Sequence, residues 1–160
     1  MILEDDDEDE VAVEEEEASE IERELLDGAG ELLVSCARVD PQGVVSEGLV
    51  EILTVAAQLM KKPDSGSKAC ALGILADFFD TVGSNSAEGF IKQLLPAYQQ
   101  FTTSDDDNVR NNATFGIGVL IATGGQTGAG FINQALSSLP LNENKNMQVK
   151  VNCRRLFRKI

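Results

Sequence analysis

The feature that most constrains this chain is an internal repeat. Residues 46–53 read SEGLVEIL, residues 87–94 read AEGFIKQL, and residues 128–135 read GAGFINQA. Gly48, Gly89 and Gly130 are spaced 41 residues apart. Each is followed by a large apolar residue (Leu49, Phe90, Phe131) and then a β-branched one (Val50, Ile91, Ile132). Gly30, Gly73 and Gly118 each precede an apolar stretch in the segments between. A fixed period of this length means one supersecondary unit used several times. No single unit can bury its apolar face alone.

The unit is helical. Between Pro41 and Pro63, residues Val45, Leu49, Ile52, Leu53, Ala56, Leu59 and Met60 form a stripe of helical period. Further stripes run from Lys68 through Leu72, Leu75 and Phe79 to Gly83, and from Ser86 through Phe90, Leu94 and Phe101. The next runs from Asp105 through Val109, Ala113 and Ile117 to Gly124-Gly125. No segment sustains the alternation of a strand. Two helices in about 40 residues predict an all-α solenoid of the HEAT/armadillo type, with about three helix pairs. Ser19 and Glu22 have capping-box spacing and predict a helix start at Ser19. Ser104 and Asp107 predict another cap. Ala113, Gly116 and Gly118 predict close helix approach, since a glycine inside a helix costs about 1 kcal/mol that packing must offset. Pro96 predicts a kink in the second helix of its pair.

Charge divides the chain unevenly. Residues 1–27 carry 15 acidic side chains and one Arg, while residues 28–160 carry 12 of each sign. The expected domains are therefore a disordered acidic segment at 1–18, a solenoid at 19–140, and a basic segment at 141–160. Residues 145–160 contain six bases (Lys145, Lys150, Arg154, Arg155, Arg158, Lys159) and no acid. With Met147, Val151, Leu156 and Phe157 among them, they read as an incomplete helix of a next repeat. A neutral body with an acidic arm disfavours direct nucleic-acid binding, which needs a cationic face.

Composition also excludes chemistry. With no His, imidazole-based Ser or Cys catalysis and His-ligated zinc are ruled out. No paired carboxylates mark a cleft, so no enzyme, cofactor or metal is expected. Cys36, Cys70 and Cys153 are odd in number and widely spaced, which predicts buried structural thiols in a reducing compartment. No apolar run approaches the roughly 18 residues of a membrane span, and the acidic start is unlike a targeting peptide. Gly116-x-Gly118 and Gly128-x-Gly130 follow no strand and do not form a phosphate loop. Asp105, Asp106 and Asp107 lack calcium-loop spacing and read as a helix start. The formal sequon at Asn112 lies on a predicted helix and is set aside.

Residues 106–125, DDNVRNNATFGIGVLIATGG, resemble a motif of the importin-β (karyopherin-β) family of nuclear transport receptors, most closely its importin-four type. Asp106, Val109, Arg110, Asn112, Ala113, Phe115, Gly116, Gly118, Val119, Leu120, Gly124 and Gly125 carry the pattern. Residues 68–101, the acidic run with its following helix, and LSSLPLNEN at 136–144 are similar to neighbouring family segments. The resemblance implies an excerpt of the C-terminal half of a longer carrier, with about one repeat missing between Gly125 and Phe131. It implies a protein that shuttles between cytoplasm and nucleus through the nuclear pore. Such a carrier binds basic cargo (histones, ribosomal proteins or nuclear-localisation signals). Phe-Gly nucleoporins and Ran-GTP would engage the full-length parent. The acidic run then supplies the candidate cargo-binding residues: Glu4, Asp5, Asp6, Asp7, Glu8, Asp9, Glu10, Glu14, Glu15, Glu16 and Glu17.

Two other functions fit the same residues. One is a general HEAT-repeat scaffold or adaptor. The other is an acidic chaperone for histones or other basic proteins. A short solenoid without polar capping repeats is also expected to expose apolar end faces and to associate through them.

Overall fold

A computed structural model describes residues 6–139, with side chains from residue 20 onward. Among these residues seven helices follow in order: α1 (Asp6–Val39), α2 (Pro41–Leu59), α3 (Ser65–Val82), α4 (Ile91–Gln99), α5 (Asp107–Thr123), α6 (Gly125–Gly130) and α7 (Ile132–Ser138). There is no strand among the described residues.

Aspartates set three of the starts. The Asp40 carboxylate accepts from the Gly43 N–H at 2.9 Å, and Pro41 occupies the first turn of α2, where its missing N–H costs nothing. The Asp64 carboxylate accepts from the Ser67 N–H at 2.6 Å and is held below the usual carboxylate range by that bond. The Asp106 carboxylate accepts from the Asn108 and Val109 N–H groups, each at 2.9 Å. Ser104 is not the cap predicted for α5; its hydroxyl instead accepts from the Asp106 N–H. Gly83 ends α3 with φ 88°, a conformation that β-carbons disfavour.

The helices form two layers. In the first, α3 lies between α1 and α5. In the second, α2 packs chiefly on α3, and α4 chiefly on α5, with α7 reaching both α4 and α5. The units are thus α2–α3 and α4–α5, preceded by α1 and followed by α6–α7. This is the HEAT/armadillo-like solenoid that the period predicts. Pro96 lies in the first helix of its pair, α4, and not the second.

The core runs along the seams. Leu72, Leu75, Phe78, Phe79, Ile91, Leu95, Tyr98, Ile117 and Leu120 are all buried. Tyr98 bridges the layers: its hydroxyl donates to the Leu72 carbonyl at 2.7 Å, and its ring covers Gly116. Burial, and then the charge of Asp77, push the phenol far above its ordinary pKa.

Several expectations need correction. Helix α1, described from Asp6 onward, runs straight through Ser19, which is therefore no cap. Glutamate is a good helix former. Residues 84–90 form turns, so α4 starts at Ile91 and not near Ser86. Cys36 is exposed, because it lies on a face of α1 that neither α2 nor α3 covers; Cys70 is half-buried. The basic segment at 141–160, including Cys153, lies outside the described residues.

Candidate protein-binding surfaces

Two depressions flank α1. The larger is a polar groove of about 650 Å³ between α1 and α3. From α1 it takes Asp27, Glu31 and Arg38; from α3, Asp77 and Asp80; and from α5, Asn112. Among the described residues, carboxylates therefore dominate its lining, with Arg38 beside them. Each pair lies on one helix face, because Asp27 and Glu31 are four apart and Asp77 and Asp80 three apart.

The electrostatics of the groove agree with its composition. The Asp77 carboxyl is raised above its ordinary value by desolvation and by the neighbouring Asp80 charge, against a smaller opposing effect of Arg38. The Cys70 thiol is pushed up to about 11, first by burial, then by the charge and hydrogen bond of Asp27. A thiol in that state is protonated at neutral pH and a poor nucleophile. A cationic group entering the groove would relieve the repulsion between carboxylates.

At the groove floor the first-layer helices approach closely. A β-carbon on Gly30 would stand 2.5 Å from Ile74 Cγ1, and one on Gly73 would stand 3.0 Å from Asn112 Nδ2. The Asn112 amide donates to the Ala69 carbonyl at 2.8 Å. That amide is a packing element, consistent with setting aside the sequon.

The smaller depression is an apolar cleft of about 250 Å³ among α1, α2 and α3. Leu26, Leu33, Ile52, Val55, Ile74 and Leu75 line it. On the loop side of α3, Lys62 pairs with Glu22 and ties α1 to the α2–α3 connection.

The predicted cargo-binding residues fall differently. Glu4 and Asp5 lie outside the described residues. Asp6, Asp7, Glu8, Asp9, Glu10, Glu14, Glu15, Glu16 and Glu17 share the helix α1 that also carries Asp27 and Glu31. At 1.5 Å per residue, Glu17 and Asp27 are roughly 15 Å apart along that axis. The groove acids were missed in the sequence because they come from two helices far apart in the chain. The spacing of each pair was the available signal.

Among the described residues no group of three potential metal ligands occurs, and no helix is long and apolar enough to cross a membrane.

No family model matches the chain, and no solved structure matches it. A local likeness does occur to a curated human protein. The chain is similar to Importin-4 of Homo sapiens, 41% identical over 58 residues, which is 36% of this chain and 5% of that protein's length, a likeness that points toward the importin-β family.

Proposed function

We propose that this chain is a protein-binding solenoid segment of a nuclear transport receptor and that it holds basic protein cargo without performing chemistry. The observation that carries the reading is the groove between α1 and α3, whose described lining includes the carboxylates of Asp27, Glu31 and Asp77. The acidic stretch on the same α1 extends the field along the helix axis. The local likeness to Importin-4 supports the transport role. Cargo of the histone, ribosomal-protein or nuclear-localisation-signal kind supplies the Lys and Arg side chains that such a surface attracts. Contacts with Ran-GTP, passage through the nuclear pore, and shuttling between cytoplasm and nucleus belong to the longer receptor.

The test is binding of a fluorescent Lys/Arg-rich peptide to the full chain. Asp27→Asn with Glu31→Gln weakens binding, by about fivefold for each exposed charge pair of roughly 1 kcal/mol. Affinity falls as salt rises. Unchanged affinity in the double variant would remove the groove from the reading. If deletion of residues 1–17 alone abolished binding, the acidic-chaperone reading would lead.

A second contact is favoured by the apolar cleft. Its lining of Leu26, Leu33, Ile52, Val55, Ile74 and Leu75 suits an aromatic side chain such as the Phe of a Phe-Gly repeat. Retention on a Phe-Gly peptide column, lost in Val55→Glu, tests it. Binding of neither probe would leave the scaffold reading.

A further inference from the structure

Helix α1 is packed on one side only. Ile21, Leu25, Leu32 and Val39 are 59%, 69%, 66% and 88% exposed. Gly28 lies between them, and a β-carbon there would meet nothing. Ile21, Leu25, Gly28 and Leu32 follow an i, i+4, i+7, i+11 pattern, the seam of one helix against another. Glu24 and Glu31 border the seam, with Glu22 beside it already paired to Lys62. This is an apolar stripe with an acidic margin.

The complementary pattern stands elsewhere in the same sequence. Val149, Cys153, Leu156 and Ile160 repeat the i, i+4, i+7, i+11 spacing. Lys150 and Lys159 border them, and residues 145–160 contain no acid. We propose that residues 145–160 of one copy dock on the Ile21–Leu32 face of α1 in a second copy. Charge selects this occupant over another α1, since two α1 helices side by side would set acid against acid. The contact is heterologous: each copy offers one acceptor and one donor. A head-to-tail contact of this kind makes rings or open chains and does not stop at a symmetric dimer. The inference shares only Glu31 with the acidic groove and nothing with the apolar cleft, and its test reads self-association and not cargo binding.

Sedimentation velocity of the full chain across a wide concentration range provides the test. The expected result is a monomer at low concentration and a mass that climbs past the dimer as concentration rises. Leu25→Glu with Leu32→Glu spoils the acceptor. Lys150→Glu with Lys159→Glu spoils the donor. Each double variant alone stays monomeric, with helicity by circular dichroism unchanged because the acceptor positions are exposed. Mixed together, the two variants form a 1:1 dimer that grows no further, since one intact acceptor meets one intact donor. A wild-type chain that remains monomeric throughout overturns the proposal. So does association that persists in either double variant, or a mixture that fails to pair.

Discussion

The ring of Tyr98 occupies the space where a side chain on Gly116 would begin. A β-carbon there would stand 1.9 Å from Tyr98 Cε1. The ring cannot retreat easily, because Tyr98 is fully buried and its hydroxyl is bonded to the Leu72 carbonyl. The glycine is therefore a fitted surface on α5, and its helix-propensity cost is offset by the packing of α4.

Gly116→Ala sets a gain of about 1 kcal/mol in helix propensity against overpacking of about 1–3 kcal/mol. The net expectation is destabilisation. Gly48 is the control, since a β-carbon there meets only Ile52 Cδ1 at 3.8 Å, an ordinary contact. Gly48→Ala is expected to stabilise by up to about 1 kcal/mol. Urea denaturation of both variants checks the opposite signs.

Asn112 pins α5 to α3. Asn112→Ala loses the bond to the Ala69 carbonyl and costs about 1 kcal/mol. Gly73→Ala crowds the same amide, at 3.0 Å from its nitrogen. Once the amide is gone, that crowding disappears, so the two substitutions are non-additive in a double-mutant cycle. Strict additivity would show that the two sites are uncoupled.

The Asp77 carboxyl binds its proton more tightly in the folded chain than in the unfolded one. Its contribution to stability is therefore present at low pH. It is lost as pH rises from the ordinary carboxylate range through the raised folded value. Asp77→Asn removes that loss. The variant is expected to be more stable than wild type at neutral pH and to converge with it in acid. Thermal melts at several pH values read the crossover.

The described thiols differ in reactivity. Cys36 is exposed, whereas Cys70 is half-buried with its pKa near 11. At mildly alkaline pH a thiol reagent labels Cys36 first, and Cys70 only slowly. Mass spectrometry of digested samples assigns the order. Asp27→Asn removes one cause of the Cys70 shift and speeds its labelling.

The solenoid was readable in the sequence because its signal is periodic. The repeat glycines do not themselves pack closely: β-carbons on Gly89 and Gly130 would meet nothing, and one on Gly48 only Ile52. The residues after them are not buried alike: Leu49 is buried and Val50 exposed in the first copy, whereas Ile91 is buried and Phe90 half-buried in the second. Helix stops at Pro41 and Gly83 were readable from backbone chemistry alone. The groove was not, because Asp27 and Asp77 meet only after α1 and α3 lie side by side. Ser19 was misjudged as a cap because its spacing to Glu22 was weighed above the helix preference of the glutamates before it. The exposure of Cys36 was missed because cysteine is so often buried that residue type outweighed position.

The central place of α3 has a mechanical consequence. The α1 and α2 helices join the rest of the molecule mainly through α3, and α3 joins α4–α7 mainly through α5. A load applied between the two ends must cross from α3 to α4 and α5, where two hydrogen bonds tie the helices: Asn112 to the Ala69 carbonyl and Tyr98 to the Leu72 carbonyl. Apolar seams resist separation but permit small sliding, whereas two ties at different points along α3 oppose both sliding and rotation. The junction should therefore move as one stiff unit, which keeps Asn112 fixed at the edge of the acidic groove.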